Sequence, residues 1–292
     1  MLVQLECVKK NQMRSNGAFR SRNTMAQKLQ TCSESLICLT VEKLKMNKSL
    51  LALAAALAVT ALPSVSFAED SPLSFNIGAF TDYRYRGISQ TRLKPAIQGG
   101  VDYALPSGFY VGAWASNIKW IKDIPGGDAS VEIDLYGGYK GEIQKDFTYD
   151  VGVLTYQYPN NNLTPSANTT EIYGALTYGV ATLKYSRSVS NLFGFVDSKN
   201  SGYLDLSATF DVSGFAVTPH VGYQKVARNG NFSYTDYSLT VSRDLSGFVL
   251  SAAVMGADTK RIGGTPAYYY APTGKDLGKA GLVLGVKKTF SF

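Results

Sequence analysis

Alternation with a period of two residues is the feature that most constrains what this chain can fold into. After residue 69 no amphipathic helical stretch of 11 or more residues occurs, and aromatic, aliphatic and Thr residues instead alternate with polar ones in runs of roughly ten. In TDYRYR, residues 81–86, three charged residues alternate with Thr and two Tyr. A strand places those charges on one face and both tyrosines on the other, whereas a helix scatters them. The chain is therefore predicted to be all-β.

Two kinds of chain break alternate between these runs. Five breaks are short: three share Ser-Gly-Phe, and the others lie at 141–146 and near Gly179. Short turns on one side and long loops on the other are typical of outer-membrane barrels. The sequence predicts a single up-and-down antiparallel transmembrane β-barrel of about 12 strands over residues 69–292. The longer, more polar breaks span about 88–95, 117–129, 158–169, 190–201, 226–232 and 258–279.

Residues 46–68 have the pattern of a secretory signal peptide. Lys48 precedes an apolar run of 13 residues, and the small-x-small sequence Ser-Phe-Ala follows, which predicts cleavage between Ala68 and Glu69. The apolar run is shorter than the roughly 20 residues that a membrane-spanning helix needs. Residues 1–45 are interpreted as an upstream extension from a mis-assigned start.

Charge and cysteine content agree with this division. All three cysteines lie within residues 1–45, and residues 69–292 carry 20 Lys and Arg against 19 Asp and Glu. The overall net charge of +7 therefore resides mainly in the leader and is no sign of nucleic-acid binding. A chain without cysteine that is exported must also be stabilised by something other than disulfides.

The last strand favours a membrane barrel over a water-soluble sandwich, in which residues would also alternate. In GLVLGVKKTFSF the apolar residues share one parity, and the chain ends in an aromatic residue. This resembles the C-terminal assembly signal of Gram-negative outer-membrane proteins, so Phe290 and Phe292 are interpreted as that signal. The expected location is the outer membrane. The expected partners are its lipid, the export and barrel-assembly machinery, and small solutes.

The two parities of each strand are assigned to lipid and to the lumen. Tyr83 and Tyr85 are expected in an aromatic girdle near the outer leaflet. Eight acids and four bases on the lumen side favour cations weakly, with a basic spot at Arg84 and Arg86. These charges could also pair and fill the interior of a twelve-stranded barrel, so the sequence is compatible with an open lumen and with a filled one. The predicted lumen-lining residues are Asp82, Arg84, Arg86, Asp102, Glu132, Asp134, Asp150, Glu171, Lys184, Asp205, His220, Asp236 and Lys287.

Five motifs in the first part of the barrel resemble the N-terminal signature of the TorF-type porins, a proteobacterial family. Ala113 departs from the Thr expected before Trp-Ala-Ser-Asn. The resemblance implies an outer-membrane barrel and, by assignment, a porin; it implies no catalytic residue or substrate. The motifs are TDYRYRGISQT (81–91), PAIQGGVDY (95–103), SGFYVGAWASNI (107–118), VEIDLYGGY (131–139) and VGVLTYQYP (151–159).

Motifs for other chemistry are few. His220 is the single histidine, and a catalytic triad would need it beside an oriented acid and a serine. One histidine and scattered carboxylates offer no metal-ligand spacing, and no cofactor is expected. The leading hypothesis is a porin for passive diffusion of small hydrophilic solutes or ions. The alternatives are a non-conducting structural or receptor barrel that binds through its outer loops and, third, an enzyme using His220.

Overall fold

The computed structural model describes residues 72–270 and 272–291. Within them twelve strands form a closed antiparallel barrel, in which each strand pairs with its neighbours in sequence and β1 pairs with β12. The prediction of an all-β, up-and-down barrel of 12 strands is confirmed. The strands are β1 (Leu73–Phe80), β2 (Ala96–Ala104), β3 (Phe109–Asn117), β4 (Val131–Gln144), β5 (Phe147–Gln157), β6 (Thr169–Tyr178), β7 (Ala181–Ser188), β8 (in two parts, Gly202–Ala208 and Phe210–Val212), β9 (Phe215–Lys225), β10 (Tyr234–Leu245), β11 (Phe248–Asp258) and β12 (Gly281–Ser291).

The predicted extension 1–45, the signal peptide 46–68 with its cleavage site between Ala68 and Glu69, and Phe292 lie outside the described residues. No helix in the described ranges is long and apolar enough to cross a membrane. Short elements occupy the loops. They are the strand pairs Arg84–Tyr85 with Ile88–Ser89, Arg261–Ile262 with Thr265–Pro266, and Tyr269–Tyr270 with Lys275–Asp276, and the 3-10 turns Trp120–Asp123 and Gly230–Phe232.

Five short turns and six long loops join the strands, close to the predicted positions. In the turns before β9 and β11, the Ser-Gly pair has positive φ at both residues, for example 57° at Ser246 and 84° at Gly247. This is the backbone of a two-residue hairpin whose twist matches its strands, and glycine makes it accessible. The long loops are L1 (81–95), L2 (118–130), L3 (158–168), L4 (189–201), L5 (226–233) and L6 (259–280).

The outer face of the barrel is apolar. On β12, Leu282 and Leu284 are 61% and 48% exposed, whereas Val283 between them is buried in the lumen. The same alternation exposes aliphatic and aromatic side chains on the other strands. A water-soluble protein rarely exposes so much contiguous apolar surface. A closed barrel also leaves no strand edge unpaired, as a bilayer requires.

Candidate functional site in the barrel lumen

L1 folds into the barrel. β1 ends at Phe80, and every residue from 82 to 91 is buried. A tight hairpin pairs Arg84–Tyr85 with Ile88–Ser89, and its corner has positive φ at Arg86 (46°) and Gly87 (79°). Gly87 lies so close to the wall that an added Cβ would stand 2.6 Å from the Gly256 carbonyl oxygen on β11. The alternating stretch predicted as the end of strand one is therefore a loop inside the lumen.

Arg86 attaches the tip of this loop to the barrel wall. Its Nη2 lies 2.7 Å from Glu171 Oε2 on β6, and its Nη1 lies 3.1 Å from Oε1, so the guanidinium meets the carboxylate as a fork. Nη1 also donates to Gln224 on β9 at 2.5 Å, and the guanidinium lies over the Tyr203 ring, 4.0 Å from its centroid. Charge-assisted, two-pronged contacts of this kind are among the strongest hydrogen bonds in proteins.

Arg84 attaches the loop on the other side. Its Nε forms an ion pair with Asp82 at 2.8 Å. Its Nη1 donates to the carbonyl oxygens of Met255 on β11, at 3.2 Å, and of Lys279 in L6, at 2.8 Å. Asp82 also accepts from Ser89 Oγ at 2.6 Å. The basic spot predicted at Arg84 and Arg86 thus exists, but acidic partners neutralise both residues.

Tyr83 and Tyr85 face the lumen, and their predicted place in a lipid-facing girdle is wrong. They are 3% and 8% exposed. The Tyr83 hydroxyl donates to Glu132 on β4 at 2.7 Å, and the Tyr85 hydroxyl donates to Tyr156 on β5 at 2.9 Å. The chain leaves the sheet after Phe80, so the parity that holds for β1 no longer applies. The closed barrel supplies the polar partners that these buried hydroxyls need.

Two carboxylates beneath L1 are incompletely paired. Glu132 and Asp134 both point inward from β4, and both are almost wholly buried. Neither carboxylate oxygen of Asp134, nor Oε2 of Glu132, has a hydrogen-bond partner within the described ranges. No group of three or more metal-ligating side chains in those ranges could hold a metal ion. The pair therefore places two incompletely hydrogen-bonded carboxyl groups inside the barrel.

Tyrosine–carboxylate contacts bridge non-adjacent strands of the wall. Tyr136 on β4 donates to Asp102 on β2. Tyr110 on β3 donates to Asp150 on β5 at 2.6 Å and also contacts the Tyr173 hydroxyl on β6. The predicted lumen residues did not include these tyrosines. Their parity was the available signal, because Tyr136 shares its face of the strand with Glu132 and Asp134.

The His220 ring contacts acids and a tyrosine, although Ser207 and Ser238 lie opposite it on the neighbouring strands β8 and β10. Its Nε2 lies 2.7 Å from Asp205 and 3.2 Å from the Tyr203 hydroxyl, and its Nδ1 lies 3.7 Å from Asp236. No serine is a hydrogen-bond partner of His220 in the part of the chain that the structure describes.

Ten of the thirteen predicted lumen residues are buried, and the other three, Asp150, Lys184 and Lys287, are half-buried. Lys184 lies over the Tyr173 ring, 3.7 Å from its centroid. The ten buried residues are Asp82, Arg84, Arg86, Asp102, Glu132, Asp134, Glu171, Asp205, His220 and Asp236.

A cavity of about 380 Å³ lies at the long-loop end, with L1 forming part of its wall. All six long loops contribute side chains to this cavity. No cavity at this end of the barrel was predicted from the sequence. We call it the aromatic cup after the eight rings that line it: Tyr85, Trp120, Tyr158, Phe193, Phe195, Phe232, Tyr234 and Tyr268.

The apolar outer face, the polar lumen and the closed antiparallel sheet define a membrane-spanning β-barrel protein. The chain belongs to the family described as "Bacterial protein of unknown function (Gcw_chp)", whose profile matches residues 67–290. No curated protein matches the sequence. The TorF-type name stays a prediction.

Among solved structures the fold is similar to several porins. The KdgM porin in complex with disordered oligogalacturonate has a TM-score of 0.48 and 8% identity, over 75% of this chain and 99% of that one. The NanC porin has a TM-score of 0.47 and 10% identity, over 75% and 100%. The outer membrane protein OprD from Pseudomonas aeruginosa has 0.34 and 14%, over 78% and 67%.

Proposed function

We propose that the protein is an outer-membrane porin through which small solutes and ions diffuse passively, with L1 forming the narrowest part of the path. The observation that carries this proposal is the hairpin 82–91 held inside a closed, polar-lined barrel. Its side chains contact β4, β5, β6, β9 and β11. A segment that crosses the lumen and is attached on several sides sets the size of what can pass.

The charge pattern supports a preference for cations. Asp82 neutralises Arg84 and Glu171 neutralises Arg86. Glu132 and Asp134 have no basic partner among the described ion pairs. Acidic side chains facing a pore attract cations and repel anions. A salt gradient across the barrel should therefore drive a net cation current.

The test is single-channel recording of the purified protein in planar bilayers, with the reversal potential measured under a KCl gradient. We expect discrete conductance with a cation preference that weakens in a Glu132→Gln/Asp134→Asn double variant. Asp128→Asn is the matched control, because Asp128 is 68% exposed in L2 and should not affect selectivity. A heat-modifiable, folded barrel without conductance would overturn the porin proposal.

A non-conducting binding barrel is the second candidate, and the complete burial of residues 82–91 of L1 inside the barrel favours it. All ten residues from 82 to 91 are buried, and the Arg86–Glu171 ion pair is only 3% exposed on each side. A silent barrel whose long loops bind a ligand would fit this arrangement.

For either function we propose that the barrel-assembly machinery recognises the C-terminal aromatic residues Phe290 and Phe292. Phe290 is 41% exposed on the outer face of β12.

A further inference from the structure

We propose that the aromatic cup is a binding site for a neutral, largely apolar ring compound, captured at the long-loop mouth of the barrel. The inference goes beyond the proposed function, because it concerns a ligand held at the mouth of the barrel rather than the ions and solutes that would pass through the lumen. It rests on the geometry of the loops, and binding itself does not require conduction.

Ring–ring contacts, all but one of them edge-to-face, hold the rings of the cup in two groups. In one group Trp120 of L2 meets Tyr158 of L3 at 5.4 Å between centroids, and Tyr85 of L1 meets Phe193 of L4 at 5.4 Å. Such contacts stabilise aromatic pairs beyond the burial of their area. They also fix the positions of the rings before a ligand arrives, which lowers the entropic cost of binding.

The second group lies on L4, L5, L6 and the first residue of β10. Phe195 and Phe232 approach to 4.7 Å between centroids, and Tyr234 and Tyr268 approach to 5.3 Å. The Tyr268 hydroxyl donates to the Phe232 carbonyl at 2.8 Å, which ties L6 to L5. The two groups together contain all eight rings that line the cavity.

The charge of the lining selects against ions. Asp123 is the one charged residue among those that line the cup, and Arg92 pairs with it, donating from Nε at 2.9 Å. An ionised ligand would lose its hydration without gaining a free counter-charge, which is costly. A neutral compound bears no such cost.

Size and polarity narrow the ligand further. A cavity of about 380 Å³ lies within the range of pockets that bind small molecules, which are mostly apolar with a few polar groups. Ser89 and Gln90 of L1 supply polar atoms to the lining. Trp120 Nε1 is buried with no hydrogen-bond partner within the described ranges, an uncompensated donor. A ring compound with one or two hydrogen-bond acceptors fits these features.

Tryptophan fluorescence provides a direct test, because the chain has two tryptophans, Trp114 and Trp120. A Trp114→Phe variant leaves Trp120 in the cup as the sole emitter. The purified barrel in detergent is titrated with 1-aminoanthracene, and quenching of Trp120 is recorded. We expect saturable binding of one probe per barrel.

Two further variants, made in the Trp114→Phe background, distinguish probe binding in the cup from partition of the probe into detergent micelles. Phe195→Ser should weaken probe binding about tenfold, because it removes one ring contact of the site. Phe215→Ser is the control: Phe215 begins β9 at the short-turn end, is 39% exposed and is not among the residues that line the cup. Phe232→Ser repeats the test should Phe195→Ser fail to fold, as judged by heat modifiability.

The two proposals fail separately. Quenching that rises linearly and equally in all variants would reflect partition into detergent and would overturn the cup as a binding site, whatever the conductance. Saturable binding that depends on Phe195, in a barrel that stays silent in bilayers, would uphold the site and overturn the porin.

Discussion

Arg86 and Glu171 lie 85 positions apart in the sequence and meet inside the barrel at 2.7 Å, each with 3% of its side chain exposed. This ion pair holds the corner of L1 against the wall at β6. Because the pair is buried, its loss has two measurable effects, one on the position of L1 and one on stability.

Breaking the Arg86–Glu171 pair should open the lumen and weaken the fold. In Arg86→Ala the Glu171 carboxylate stays buried without its counter-charge, which costs about 3–5 kcal/mol in the free energy of unfolding. L1 also loses its contacts with β6 and β9, so the single-channel conductance should rise. Chemical denaturation and planar-bilayer recording check the two effects.

The matched control is the exposed Lys122–Asp128 pair of L2, at 3.1 Å and with side chains 44% and 68% exposed. Lys122→Ala should change the unfolding free energy by at most about 1 kcal/mol and leave the conductance unchanged. Should Arg86→Ala lower stability without altering conductance, L1 would be held in the lumen by its other contacts.

The Tyr83 hydroxyl should contribute to stability through Glu132. Tyr83→Phe removes the donor at 2.7 Å and leaves a buried carboxylate oxygen unpaired, so the unfolding free energy should fall by about 1–3 kcal/mol. Tyr103→Phe is the control, since Tyr103 is 43% exposed on the outer face of β2. Equal effects of the two substitutions would argue that the Tyr83 hydroxyl contributes nothing.

Replacement of Gly152 should lower the stability of the barrel, because Tyr173 packs closely over that glycine. A Cβ at Gly152 would stand 2.5 Å from the Tyr173 hydroxyl and 2.7 Å from the Gly137 carbonyl oxygen. Gly152→Ala should therefore destabilise the barrel by about 1–3 kcal/mol through overpacking. Gly174→Ala should be nearly neutral, because the nearest atom to its Cβ would be Val151 Cγ1 at 3.9 Å. The denaturation midpoint of each variant, compared with that of the wild type, measures the two effects. An unchanged midpoint for Gly152→Ala would count against tight packing in the lumen.

Binding of a neutral probe in the aromatic cup should not depend on pH between about 6 and 9, below the usual tyrosine pKa of about 10. Burial and the nearby Glu132 carboxylate raise the pKa of Tyr158, and burial raises the pKa of Tyr268. A tyrosine is charged only above its pKa, so both hydroxyls stay neutral over this range. Titration of Trp114→Phe with 1-aminoanthracene at several pH values measures this. An affinity that falls toward the upper limit would show that a cup tyrosine ionises near its ordinary pKa.

Much of the barrel follows from local pattern. On β12 the alternation places Leu282 and Leu284 outside and Val283 inside, as the structure shows. The Ser-Gly pairs mark tight turns, because their backbone requires positive φ that glycine adopts without strain. Both signals act over a few residues and need no knowledge of distant partners. The inward side of Glu132 and Asp134 was predictable for the same reason.

The course of residues 81–95 was not predictable in this way. TDYRYR has the same period of two as a strand, yet the hydroxyl of Tyr83 finds its acceptor 49 residues away and that of Tyr85 finds its partner 71 residues away. Those partners come within reach only when the sheet closes. Gly87 after Arg86 was the local hint of a turn.

The strand count, the turn positions and the lipid-facing side of each strand follow from the order of neighbouring residues, because alternation and turns are local properties of the chain. The entry of L1 into the lumen, the pairing of Arg86 with Glu171 and the assembly of rings from six loops into one cup arise only when the barrel closes. These features depend on burial and pairing between residues that closure of the barrel brings together, and such energies are not encoded in local periodicity.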